Sequence, residues 1–224
     1  MRGKILFTIM MIAIYRLGSH IVLPGIDPTK IDAGSQNSTG ILGLIDAFSG
    51  GAFNNASIFA LGIMPYISAS IFMQLMTVLV PSFQKMQKEG ESGRKKINQY
   101  TRYLTVVVTL LQASAYVSYL NGMFAQSGAI MPAFSGYFWL SFLVVLSAST
   151  MFVMWIGENI TDRGLGNGTS LIIMIGIIAR LPQSFLQELS AKSVRNGQIL
   201  IFIIEIAVLI AIIMGCVLLI QGVR

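Results

Sequence analysis

Glu158 and Asp162 are the carboxylates whose spacing most invites an enzymatic reading, because four residues place them on one helical face as a general acid and base can be placed. Arg163 follows directly, and the three together read as a solvated helix end. Gly164-Leu-Gly-Asn-Gly168 has the glycine density of a phosphate-binding loop. It follows an apolar helix where such a loop follows a strand, and it lacks Gly-Lys-Ser/Thr, so a tight turn is expected. His20 is the only histidine and Cys216 the only cysteine, which rules out an intrachain disulfide and a metal site of the usual ligand spacing. Asn37-Ser-Thr and Asn55-Ala-Ser have the form of glycosylation acceptors, a pattern short enough to recur by chance. Arg16 and Glu205 stand at similar depths within apolar runs. They mark either a structural ion pair or the coupling site of a small-solute secondary transporter. Nothing here argues for catalysis, a metal or a cofactor.

The elements that carry these residues are apolar. Hydrophobic residues make up 54% of the 224 and charged residues 11%, against about 25% charged in soluble domains. The apolar residues gather into runs near the ~20 positions that a helix needs to cross the hydrocarbon core. The sequence predicts an all-α, multi-pass membrane protein with six transmembrane helices, at 5–23, 58–80, 104–120, 137–156, 165–181 and 199–220. The first is read as a permanent span, since it is too long and too charged for a signal-peptide core and no small-residue cleavage site follows. The fifth is short and entered through Gly164, Gly166 and Gly168, with Arg180 placed to snorkel at its far end. That is the form of an interrupted span beside a pathway, or of a closely packed ordinary helix.

Lysine and arginine are unevenly shared between the loops. Arg2, Lys4, the cluster from Lys85 to Arg102, Arg163 and Arg224 fall on one side, against Lys30, Arg180, Lys192 and Arg195 on the other. The amino terminus is therefore expected to be cytoplasmic, and the formal charge of +6 reflects topology and attraction to anionic lipids rather than nucleic-acid binding. Between the first two spans, Ile41, Leu44, Ile45 and Phe48 recur at helical spacing before Gly50-Gly51. The segment is apolar yet too short to span, so it is either an interfacial helix or a re-entrant plug.

Two long stretches carry a resemblance. Ser57-Ile-Phe-Ala-Leu-Gly-Ile-Met-Pro-Tyr-Ile-Ser-Ala-Ser70 resembles the second helix of SecY-type protein-conducting channels. Glu89-Gly-Glu-Ser-Gly-Arg-Lys-Lys-Ile-Asn-Gln-Tyr-Thr-Arg102 resembles the cytosolic loop next to it in that family. Phe48-Ser-Gly-Gly51, Pro24-Gly-Ile-Asp27 and the run from Met154 to Gly168 are similar to further parts of the family. The resemblance implies a ten-helix channel of two inverted five-helix halves with a lateral gate and an hourglass pore. On that reading residues 1–181 are the first half, with the plug at 40–53 and a cytosolic loop at 81–103. Residues 182–198 are an external hinge loop, and 199–224 hold the sixth helix at the start of a second half that continues beyond Arg224.

Ile63, Ile67 and Ile71 recur at steps of four, so three branched apolar side chains can face one axis, and a pore lined in that way dewets. The resemblance maps Ile63 and Ile67 to the pore ring, extends it to Ile71, and adds Thr169 and Ile173 from the fifth helix. Thr169 stands where isoleucine is expected, and its hydroxyl would loosen the seal. The plug residues are Ile41, Leu44, Ile45, Phe48, Gly50 and Gly51, folded back beneath the ring with Asp46 toward the outer water. Ser68, Gln74 and Gln112 are either interhelical glue or, by resemblance, part of the lateral gate. Arg94, Lys95, Lys96 and Arg102 are candidates for cytosolic docking. The implied partners are SecE-type and SecG-type small membrane subunits, a SecA-type motor ATPase, the ribosome, signal sequences, translocating polypeptides and anionic lipids. The implied location is the bacterial plasma (inner) membrane.

Overall fold

The computed structural model describes residues 2–28, 41–124, 137–193 and 199–222. These form eight helices: α1 (Arg2–Ser19), α2 (Ile41–Ser49), α3 (Met64–Leu79), α4 (Pro81–Lys88), α5 (Glu91–Phe124), α6 (Phe138–Arg163), α7 (Gly168–Ser193) and α8 (Ile199–Gly222). Among the described residues the only extended pairing is one antiparallel bridge between Val22 and Ser57. The all-α expectation holds. The number of spans is coarser than expected: α5, α6, α7 and α8 are each long and apolar enough to cross a membrane, and α3 with α4 makes a fifth if the bent pair is one span. The helix α1 has the length but carries Arg2, Lys4 and Arg16.

The boundaries differ from the sequence reading where backbone chemistry intervenes. Residues 58–63 were expected to open the second span, but they form turns, and α3 begins at Met64 with Pro65 in its first turn. Gly62 takes a φ of +52° just before, a left-handed conformation that ends one path and lets proline start the next. The stretch expected as a loop at 81–103 is helical in α4 and the start of α5, because Pro81 breaks α3 and the chain turns through 98° into α4. Two glycines of the Glu89–Arg102 motif shape the next elbow. Gly90 adopts φ +77°, and a Cβ on Gly93 would collide with the carbonyl of Met86. Past Leu181, α7 continues through Pro182 to Ser193.

Residues 1–178 and 179–224 form two compact units. In the first, α5 packs against both α3 and α6, and α1 lies against α6. The buried stripe of α5 runs Thr101, Thr105, Thr109, Ala113, Val117 at steps of four. Each threonine hydroxyl donates to the carbonyl four residues back, at 2.9, 2.7 and 2.6 Å, so small satisfied groups let neighbouring helices approach closely. Two apolar clusters fill this unit. One gathers Leu23, Phe53, Leu61, Tyr116, Phe142 and Leu146; the other gathers Tyr15, Phe59, Ile63, Val153, Ile156 and Ile172. The second unit contains the remainder of α7 and α8, where the rings of Phe185 and Phe202 lie 5.3 Å apart. Its boundary falls just before Pro182, which offers no N–H to the Ile178 carbonyl. Apart from Glu205 and Gln221, helix α8 is apolar on every face, and it is exposed along almost its whole length.

Candidate functional site

The site lies in the first unit, where the end of α2 and the turn that follows it meet residues of α1, α5 and α7. Its position depends on a short chain of backbone bonds. After α1 the chain pairs with the segment leading to α3: Leu23 N–H donates to the Ala56 carbonyl at 2.9 Å and Ile58 N–H to the Ile21 carbonyl at 2.8 Å. Ala56 pays for that pairing with a φ of +45°, the only positive φ among described non-glycine residues. Asp46, expected in water, is instead 1% exposed. Its Oδ1 accepts the Asn54 N–H at 2.9 Å, and its carbonyl accepts the Gly51 N–H at 2.9 Å and the Ser49 hydroxyl at 3.0 Å. The carboxylate is drawn inward because the turn after α2 presents N–H groups that need an acceptor.

Phe53 ends this turn in the cluster with Tyr116, and the Tyr116 hydroxyl donates to the Phe53 carbonyl at 2.7 Å in a buried setting. The Phe53 ring stands 4.6 Å from that of Tyr116 and 5.6 Å from that of Tyr119. At the end of α2 the approach is tighter still. A Cβ on Gly50 would lie 3.1 Å from both the Cα and the carbonyl oxygen of Gly176 on α7, and 2.8 Å from Arg16 Nη1. A Cβ on Gly176 would lie 2.7 Å from the Phe48 carbonyl oxygen. Of the plug candidates, then, Phe48, Gly50 and Gly51 form the tight turn and Ile45 packs on the Phe53 cluster. The side chains of Ile41 and Leu44 lie outside the described residues.

The ring candidates do not occupy equivalent places. Ile63 is 4% exposed and belongs to the apolar cluster, while Ile67 and Ile173 lie at its edge, half-buried. Ile71 is 53% exposed, beyond the cluster. Thr169 is held by Asn167, whose side-chain oxygen accepts its hydroxyl at 2.5 Å and the backbone N–H groups of Thr169 and Ser170 at 3.1 and 3.4 Å. Asn167 is thereby the N-cap of α7. With the hydroxyl engaged, the methyl is presented inward: a Cβ on Gly157 would meet Ile63 Cδ1 and Thr169 Cγ2 at 3.4 Å and Ile172 Cδ1 at 3.6 Å. Gly157 and Ile172 were missed in the sequence. The asparagine before Gly-Thr-Ser was the readable signal for the cap.

Ser68, Gln74 and Gln112 are not brought together. The Ser68 hydroxyl donates to the Met64 carbonyl of its own helix at 3.1 Å. Gln74 lines a polar groove with Ser70, Gln87, Arg94 and Asn98. Gln112 lines a cavity of about 280 Å³ with Ile45, Phe53, Met64, Tyr116 and Tyr119. Among the basic residues, Arg102 is engaged: its Nε and Nη2 donate to the two carboxylate oxygens of Glu158 at 3.1 and 2.8 Å, joining α5 to α6. Lys95 pairs with Glu91 at 3.5 Å and Lys96 with Glu89 at 3.9 Å, both well exposed.

An all-helical, multi-pass membrane protein is the class that this geometry defines. Comparison with known proteins gives the family. The family model described as SecY matches residues 57–224. The protein translocase subunit SecY of Pseudomonas aeruginosa is 50% identical over 203 residues, 89% of this chain and 44% of its own length. The corresponding subunit of Rickettsia typhi is 45% identical over 215 residues, covering 94% and 50%, and that of Streptomyces scabiei 47% over 193 residues, covering 82% and 44%. This chain belongs to the SecY family. It spans about half the length of the curated relatives it matches.

Proposed function

We propose that this chain forms the first half of the central pore subunit of a Sec-type channel, which moves secretory proteins across the bacterial inner membrane and inserts membrane proteins into it. The observation that carries the reading is the close glycine contact by which the turn after α2, a nine-residue apolar helix, meets α7 in a chain of this family. The amino terminus is cytoplasmic, and the six spans are α1, the stretch 58–80 that contains α3, α5, α6, α7 and α8, with α4 in the cytosolic loop at 81–103. Residues 1–181 are the first half, 182–198 join it to the second half, and 199–224 begin that second half.

The helix α2 acts as the plug and Ile63, Ile67, Ile71, Thr169 and Ile173 as the constriction. Supporting this, Ile67 and Ile173 lie half-buried at the edge of one cluster and the Thr169 methyl turns toward Ile63. An apolar constriction obstructs hydrated ions without binding any passing side chain strongly, which suits arbitrary polypeptides. At the cytosolic end, Tyr66, Ser70, Arg102, Glu158 and Asp162 line a polar hollow of about 290 Å³ that serves as the entry funnel. Ser68, Gln74 and Gln112 contribute to a lateral gate for signal sequences. The SecE-type and SecG-type subunits, a SecA-type motor, the ribosome and anionic lipids are the partners, and the motor or ribosome supplies the energy. The solute-transporter alternative has no support: Arg16 rests against the turn after α2.

Deleting 41–53 from the full-length channel tests the reading. Ion leak in planar bilayers should rise and signal-sequence selectivity should relax, with transport retained. Unchanged conductance would reduce α2 to an interfacial helix.

A further inference from the structure

We infer that Arg16 is a positioning residue that holds the plug shut by placing its charge against the backbone at the C-terminal end of α2. The inference rests on the reading of α2 as the plug. Arg16 lies in the last turn of α1, and its Nη1 is buried with no hydrogen-bond partner among the described residues. That nitrogen sits 2.8 Å from where a Gly50 side chain would begin, so a side chain there would push the guanidinium aside. The nearest element is the C-terminal end of α2, which carries the negative end of the helix dipole even though its Asp46 and Ala47 carbonyls accept the Gly51 and Gly50 N–H groups. Asp46, the one carboxylate on α2, has its Oδ1 turned to the Asn54 N–H. What the cation faces across Gly50 is the helix terminus.

Such an arrangement is favourable but weak. The charge stabilises the seated helix, while a buried N–H without an acceptor costs part of that gain. The contact thus suits a plug that must stay seated yet be displaced by an arriving chain. When the plug leaves, Arg16 loses its helix terminus and regains solvent.

The test uses the full-length channel in a cysteine-free background, with Arg16→Gln and Arg16→Lys made both in the intact channel and in one lacking 41–53. Leak conductance is measured in planar bilayers, and Phe48→Cys is labelled with a membrane-impermeant thiol reagent. Arg16→Gln should raise leak about 2- to 30-fold, the range that a charge at a helix terminus commands. Labelling of Phe48→Cys should accelerate in parallel, Arg16→Lys should fall between, and none of these changes should add to the leak of the plugless channel. If Arg16→Gln leaves leak and labelling unchanged while the plugless channel leaks, the latch is wrong and the plug stands. The latch is equally wrong if Arg16→Gln adds leak to the plugless channel, since it then acts elsewhere. A plugless channel that does not leak would remove the plug reading and the latch with it.

Discussion

Gly50 and Gly176 meet backbone to backbone: a Cβ on Gly50 would stand 3.1 Å from the Gly176 Cα, and one on Gly176 would clash with the Phe48 carbonyl oxygen. This contact joins the turn after α2 to α7, and its closeness depends on both residues lacking side chains. Gly50 also needs its φ of +66°, which an alanine adopts only with strain.

Gly176→Ala should therefore unseat α2 while leaving α7 helical, because alanine is the better helix former. The added methyl lies 2.7 Å from the Phe48 carbonyl oxygen, and overpacking of that kind costs about 1–3 kcal/mol. That shifts a shut-to-open ratio roughly 5- to 150-fold. Single-channel recording of the full-length protein should show longer open times; unaltered gating would mean that the turn relaxes around the methyl.

Tyr116→Phe removes the donor to the Phe53 carbonyl and keeps the ring contacts at 4.6 Å. Interhelical hydrogen bonds in membranes average about 0.6 kcal/mol, whereas a buried acceptor left unsatisfied costs about 1–3 kcal/mol. The second figure governs here because Tyr116 is only 3% exposed. The variant should melt about 2–12 °C lower in detergent. A melting temperature equal to that of the parent would show that the carbonyl finds another donor.

Arg102 and Glu158 form a two-pronged pair across 56 residues of sequence. The pair is partly exposed, with side-chain exposures of 50% and 24%, so losing it should cost only about 0.2–1 kcal/mol. Arg102→Gln and Glu158→Gln should each destabilise the α5–α6 contact by that amount. The double variant should cost less than the sum, and added salt should narrow the differences. Strict additivity would show that the two side chains do not act on each other.

Reversing Arg94, Lys95 and Lys96 to glutamate should weaken binding of the motor or the ribosome to the full-length channel, most clearly at low salt. The exposed pairs of Lys95 with Glu91 and Lys96 with Glu89 contribute little stability to lose, so the fold should survive. Co-sedimentation with ribosomes and motor-stimulated ATP hydrolysis are the measurements. If both match the unaltered channel across salt, these cations serve topology alone.

Much of this protein was legible in one dimension because lipid constrains a chain locally. Apolar runs announce helices, prolines at 65 and 81 punctuate them, and the spacing of Ile41, Leu44, Ile45 and Phe48 announces a short helix between spans. The motifs from Ser57 to Ser70 and Glu89 to Arg102 carried the family, and the glycines of the second shape the α4–α5 elbow where they stand.

What the tertiary structure decided are the pairings. Neither glycine at 50 and 176 has a side chain to signal a partner, and Tyr116 reaches a backbone carbonyl 63 residues away that any residue type would offer. Asp46 looked like a surface charge and became the acceptor of a buried turn. Ile63, Ile67 and Ile71 share a helical stripe, but only packing against Gly157 and Ile172 separates the covered one from the exposed one. Local sequence sets which groups a helix presents; which group meets which depends on close approach between distant segments, and glycines and backbone carbonyls carry no pattern that reveals it.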